Sequence, residues 1–466
     1  MEMVSGSHER AGFFARSWWW LKAMPKKLAA VVVEVAKNAK KLGRDDPRII
    51  IHSLKVGLAL SLVSLFHYFQ PLYNSFGVSA MWAVMTVVVV FEFSVGATIG
   101  KGFNRGVATL LAGALGVGAH HLARTSGTIG EPILLGLFVF LQAAATTFIR
   151  FFPKIKARYD YGLLIFILTF CLVSVSGFRD DEILELAQKR LSTMLIGASV
   201  CVIVSIFVCP VWAGKELHNK VSQNMEKLGN FLEGFGDEYF RTSKDEESDG
   251  DMSVLQDYKS VLNSKNTEET WANFARWEPG HGQFIYRHPW KQYLKVATLT
   301  RECAYQIEAL NGHLNSGIQA PAEIRGKIQA TCTKMSLECG KALKELALAI
   351  KTMTLPSSAE THVANSKTAA KNLKSMLKSG LWEDTDLLEV MPVATVVSTL
   401  IDVVLCVEKI AESALELASL AHFKNIDPTV TTDKQHSDQL STAKQLTKTD
   451  CPNIVITVHV KKQEIE

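Results

Sequence analysis

No C-x-x-C pair, H-E-x-x-H, G-x-S-x-G or zinc-finger spacing occurs in the 466 residues. That excludes the common zinc sites, dithiol redox centres and serine-hydrolase elbows. An excess of one charge sign is also lacking. The net charge is only +4, with no finger or basic-helix pattern, so nucleic acid is not an expected partner. The eight cysteines are scattered singly and are expected to be reduced, buried thiols. Gly96-x-x-x-Gly100-Lys101-Gly102 superficially resembles a phosphate loop. It is one residue short and lacks the Ser or Thr that would hold magnesium, so no nucleotide site and no cofactor is expected. Too few ionisable residues lie in the apolar runs to assemble nucleophile, base and acid, and the chain does not read as an enzyme.

What the chain does have is long apolar segments, concentrated between Ile51 and Trp212. A membrane-crossing helix needs about 20 apolar residues at ~1.5 Å each. Six spans can be drawn, at about Ile51–Phe69, Ala80–Val95, Phe103–Leu122, Pro132–Ile149, Tyr161–Ser176 and Leu191–Trp212. The third is rich in small residues, with Gly102 and Gly106 four apart and Ala112 and Gly116 four apart, a spacing that lets helix backbones approach closely.

Basic residues set the orientation. Ten Lys and Arg lie in the first fifty residues. Lys101 and Arg105 fall between spans two and three, and Arg150, Lys154, Lys156 and Arg158 between spans four and five. Of the opposite links, the first is uncharged, the second holds only Arg124 as a cation and the third is acidic, so the positive-inside rule places both termini in the cytosol. Trp18–Trp20 beside Lys22, Lys26 and Lys27 suggests a segment at the membrane surface. The expected organisation is all-α: a basic cytosolic arm (residues 1–48), a six-helix transmembrane domain (49–213), a cytosolic helical domain (214–424) and a flexible tail (425–466).

Beyond Trp212 the composition becomes that of soluble helices, expected at about Gly214–Phe240, Met252–Asn263, Trp290–Leu314, Glu323–Met353, Ser357–Ser379 and Asp386–Phe423. Val390–Val407 is apolar enough for a seventh span. However, Thr395, Ser398, Thr399, Asp402 and Lys409 share one side, opposite Val393, Val397, Leu400, Val404 and Ile410, which favours an amphipathic helix in a bundle. Arg241–Met252 reads as a charged linker offering Thr242, Ser243 and Ser248 to a kinase.

The informative ionisable residues are the cations near the span ends. An anion conduit needs fixed positive charge along its wall, and the guanidinium fork can make two parallel bonds to one carboxylate. Arg105, at the inner mouth of span three, and Arg190, at the outer mouth of span six, suit that role. Cations at span ends also serve simply as topology anchors.

The runs WAVMTVVVVFEFSVGATIGKGFNRG at Trp82–Gly106, RFFPKIKARYDYGLLIFILTF at Arg150–Phe170, VCPVWAGKELH at Val208–His218, GDEYF at Gly236–Phe240 and WEPGHG at Trp277–Gly282 resemble the plant aluminium-activated malate transporter family. The resemblance covers about Asp46 to Phe423. It implies six spans and a cytosolic helical domain, assembled as a homodimer with a basic pore that passes malate and inorganic anions passively. It carries the anion-binding role to Arg105 and Arg190, with Lys101 a weaker addition, and makes Glu92 a structural partner for a nearby cation. It also suggests an external oxygen-rich aluminium site from Asp181 and Glu185, with Asn74 giving an amide oxygen but no charge. The plasma membrane is expected rather than the vacuolar one. A proton-coupled organic-acid exporter and a membrane-anchored scaffold are the competing expectations.

Overall fold

The computed structural model describes residues 26–68, 81–176, 183–240, 256–314, 321–378 and 387–425. All regular structure among them is α-helical, with only two isolated bridges, His281 with Phe284 and Thr354 with Lys424. In chain order, apart from a single turn at Lys259–Leu262, the helices are α1 (Lys26–Asp45), α2 (Pro47–Tyr68), α3 (Met81–Val90), α4 (Val95–Arg124), α5 (Gly127–Ile149), α6 (Pro153–Ser176), α7 (Ile183–Phe207), α8 (Ala213–Phe240), α9 (Lys265–Ala275), α10 (Trp290–Leu314), α11 (Ala322–Thr352), α12 (Ala359–Lys378) and α13 (Leu387–Leu420).

These form two compact units. One contains α1, α2, α3 and the α7 residues from Ser192 onward. Its apolar centre is Ala59, Val63, Ala83, Val87, Val90, Phe91, Cys201 and Val204. Gly197 is required there, because a Cβ would come within 2.6 Å of the Ala83 carbonyl oxygen.

The other unit contains α4–α6 and α8–α13. Within it α4 packs on α6 through small residues. Ala108, Ala112 and Gly116 are buried at four-residue intervals, and a Cβ on Gly116 would sit 2.8 Å from Val173 Cγ1. The outward faces are apolar: Leu110, Leu111 and Leu115 on α4, and Ile133, Leu137 and Phe140 on α5, are all exposed. Contiguous apolar surface of that extent is untenable in water and is what lipid contact requires.

Helices α8–α13 enclose a conventional dry core that includes Leu217, Phe231, Phe235, Ile307, Leu343 and Leu400. The segment with the hydropathy of a seventh span lies in α13. Its Val393, Val396, Val397, Leu400, Val403, Val404 and Val407 are buried in that core, while Thr395 is exposed and Thr399 half-exposed, and they bond back to the Met391 and Thr395 carbonyls. By length and composition Glu389–Leu420 could cross a membrane, as could Pro47–Leu65, Val95–Arg124, Ile129–Ile149 and Gln188–Phe207. Periodicity, not mean hydropathy, decides for α13: its apolar stripe meets other helices.

Two differences from the expected spans matter. The described helix of the second span, Met81–Val90, stops five residues short of the expected end at Val95. The chain then breaks at Phe91–Ser94: Thr98 Oγ1 accepts from the Glu92 N–H at 3.1 Å, and Ser94 Oγ caps the next helix by accepting from Ala97 N at 3.3 Å. As a result α4 starts at Val95 rather than near Phe103, and runs thirty residues. Cys171, Cys201, Cys303, Cys332, Cys339 and Cys406 are free thiols. Cys209 departs from the expectation and is disulfide-bonded.

Candidate anion path and its junction with the bundle

The early start of α4 moves the basic residues. Lys101 and Arg105 do not lie in a link between spans. They sit in the second and third turns of α4, one turn apart and on one face. Glu92, just before the helix, forms an ion pair with Lys101. The Lys101 ammonium also lies 5.6 Å from the centre of the Tyr161 ring on α6, within cation–π range. Tyr161 Oη accepts from Arg105 Nη1 at 3.1 Å. Three sequence-predicted residues and one unpredicted tyrosine therefore form a single group.

Arg105 is 8% exposed. Among the described residues it makes no ion pair, and its buried Nε has no hydrogen-bond partner. A buried guanidinium without a carboxylate is costly, so it is the place in this group where an anion would be most strongly stabilised. Lys101 is already neutralised by Glu92. Arg190 is half-buried in the first third of α7. Of the candidate aluminium ligands, Asp181 and Asn74 lie outside the described residues, and Glu185 falls on α7, where only its backbone is described. The linker residues Thr242, Ser243 and Ser248 also lie outside them.

Reasoning from motif chemistry missed Glu278. It lies just after α9, is 5% exposed, and uses both carboxyl oxygens. Oε1 accepts from Ala213 N at 2.6 Å and Oε2 from Gly214 N at 3.0 Å, at the first turn of α8. The backbone N–H of Gly96, in the first turn of α4, also faces this carboxyl and favours its charged form. One acid thus caps two helices, where unpaired N–H groups and the helix dipole favour negative charge. Burial pushes its carboxyl up from the ordinary glutamate value, while the three N–H groups pull it down.

The surrounding joints are tight. Val95 N donates to Val211 O at 2.9 Å. A Cβ on Gly96 would fall 2.2 Å from Phe274 O, one on Gly100 would fall 2.9 Å from Trp277 Cδ1, and one on Gly214 would fall 2.5 Å from the Trp290 ring. Phe103 and Trp277 pack with ring centres 5.2 Å apart. The start of the arginine-bearing helix is therefore seated directly on the bundle.

Beneath this junction is an aromatic and histidine cluster. Lys351 O can only accept, so His218 carries its proton on Nε2, 3.3 Å away, and Nδ1 accepts from Tyr293 Oη at 2.9 Å. Trp212 stacks on His281 at 3.8 Å, and His288 lies 4.7 Å from Trp290. Burial lowers the pKa of all three histidines, that of His288 to about 4. Deeper in the bundle, fully buried Glu268 pairs with Arg301 and accepts from Asn224 Nδ2 at 2.9 Å.

Comparison with known proteins points to a single family. The family model described as aluminium activated malate transporter matches residues 40–382. Aluminum-activated malate transporter 2 of Arabidopsis thaliana is 55% identical over 397 residues, covering 84% of this chain and 79% of the relative. Aluminum-activated malate transporter 1 of the same plant is 52% identical over 439 residues, covering 92% and 88%. Aluminum-activated malate transporter 1 of Triticum aestivum is 48% identical over 414 residues, covering 86% and 89%. With its buried arginine on a lipid-facing helix and its dry helical bundle, this multi-pass membrane protein belongs to the aluminium-activated malate transporter family.

Proposed function

We propose that the chain is a passive channel for malate and inorganic anions, working as a homodimer with Arg105 and Arg190 supplying the positive potential of the path. The observation that carries this reading is Arg105: a buried guanidinium with a free Nε and no ion pair among the described residues. Its fork can hold a carboxylate transiently, and with no acid paired to it among the described residues its charge is available to the permeating ion. Lys101, paired with Glu92, acts in this reading as a structural cation that fixes the start of α4.

The distribution of Lys and Arg supports a cytosolic position for both termini and helices α8–α13 in this reading, and the plasma membrane is the proposed site. Asp181, Glu185 and Asn74 are the proposed external aluminium ligands. The names of the relatives support malate as a permeant ion.

The test is patch-clamp recording with malate on one side, with and without external aluminium. Replacing Arg105 with Gln should cut malate conductance about tenfold, the effect of removing roughly 1.4 kcal/mol of stabilisation from the ion in transit. Replacing Lys101 should act mainly on protein stability. Unchanged conductance in both R105Q and R190Q removes the assignment. A reversal potential that follows the proton gradient would instead identify a coupled exporter, and absence of flux from purified protein in liposomes would leave a scaffold.

A further inference from the structure

Helix α1 carries none of the residues assigned to the anion path. It joins α2, the first membrane helix, through a single residue. Asp46 N donates to Leu42 O at 3.0 Å, closing α1. The Asp46 carboxylate then accepts from Arg48 N at 3.0 Å, with Pro47 at the first helical position, which starts α2. Gly43 lies so close to Ile50 that a Cβ would meet its Cδ1 at 2.6 Å. Residues seven apart in one straight helix stand about 10 Å apart, so α1 is turned off the axis of α2. A helix tied by one residue to the start of a membrane span, and bent away from it, is positioned to run along the headgroup layer.

Its surface suits that layer. Val31, Val32, Val35, Ala39 and Leu42 form one stripe, and the large ones among them are 51–60% exposed. Lys37, Lys40, Lys41 and Arg44, spaced 3, 4 and 7 residues from the first, form the opposite face, and all are exposed. Only Glu34 and Asp45 oppose them in sign along residues 30–45. An amphipathic helix with a cationic face and a valine-rich face is built to lie in a membrane surface carrying negative lipid. We propose that α1 is an in-plane anchor that binds anionic phospholipid headgroups at the cytosolic surface, so that the lipid's charge holds the first membrane helix in position. This rests on α2 crossing the membrane, and not on the identity of the permeant ion.

Hydrogen–deuterium exchange of the full chain in nanodiscs tests it. Two bilayers would be compared at about 0.15 M salt, where screening acts over ~8 Å: phosphatidylcholine alone, and the same lipid with about 30% phosphatidylserine. Amides of residues 30–44 should exchange about tenfold more slowly in the anionic bilayer. The charge-reversed variant K37E/K40E/K41E/R44E should lose that difference, while exchange in α8–α13 reports that it has folded. Equal exchange in the two bilayers overturns the proposal. So does protection that appears in detergent and rises with protein concentration, which would mean a second copy covers the face. Neither result depends on current through the protein, so failure here is distinguishable from failure of the channel assignment.

Discussion

Replacing Glu278 with Gln should loosen two helix starts at once. The native carboxyl offers acceptors only, and three backbone N–H groups converge on it, from Ala213, Gly214 and Gly96. A glutamine keeps one acceptor oxygen and turns an NH₂ toward at least one of those donors. Losing one hydrogen bond to a charged group costs about 1.5–3 kcal/mol. Removing negative charge from two helix N-termini adds roughly 0.3–1 kcal/mol for each. The neutral amide is cheaper to bury, which offsets part of this. A net loss of about 2–4 kcal/mol follows, which for a helical unit of this size lowers Tm by roughly 5–12 °C. Thermal unfolding of the detergent-solubilised protein, followed by tryptophan fluorescence, measures it. Hydrogen exchange then separates the two ends: amides at residues 96–100 and at 213–217 should both speed up. A Tm within about 2 °C of the parent would refute the argument. Acceleration at 213–217 alone would show that Glu278 caps α8 without holding α4.

Three further outcomes follow from the packing. Gly96→Ala should destabilise by more than about 2 kcal/mol, because its Cβ would strike a backbone oxygen that cannot rotate away, whereas Gly118→Ala, which meets nothing within 4 Å, should be neutral or slightly stabilising; paired thermal melts decide it. For His288 the folded pKa of about 4 lies below the unfolded value near 6.5, so the unfolded state takes up more protons in that window. Its contribution is complete above pH 6.5 and falls by roughly 3 kcal/mol as pH drops toward 4, and denaturant titrations of parent and H288Q should diverge across that window. Arg301→Met should cost about 3–5 kcal/mol by stranding the buried Glu268 carboxylate, and adding Glu268→Leu should recover much of the loss in the same titration.

Much of the helix layout was legible in the sequence because it is local. Trp290–Leu314 was predicted to the residue, and α8, α11, α12 and α13 to within three, since a stripe at 3.6-residue spacing needs no knowledge of what it will face. The polar stripe of Thr395, Thr399 and Asp402 likewise marked the side of α13 turned away from its packed valine face. The small residues of α4 announced close packing, and Ala112 and Gly116 are where α6 approaches.

Tertiary structure decided what depends on partners distant along the chain. Lys101 and Arg105 looked like a basic link between spans because the break at Glu92–Ser94 is set by Thr98 and by the bundle seated under α4, not by local hydropathy. The same placement made the two cations different: one is neutralised by Glu92, and the other is buried beside Tyr161, 56 residues away. Glu278 carried no motif of its own as a cap. Its partners lie 64 and 65 residues before it at one helix start, and farther still at the other. The sequence by itself determined which segments are helical and which faces are apolar, because those follow from side-chain periodicity. Which charges are compensated and which helix ends are joined was decided only by folding, because charge pairing and capping act through distances that the order of residues does not contain.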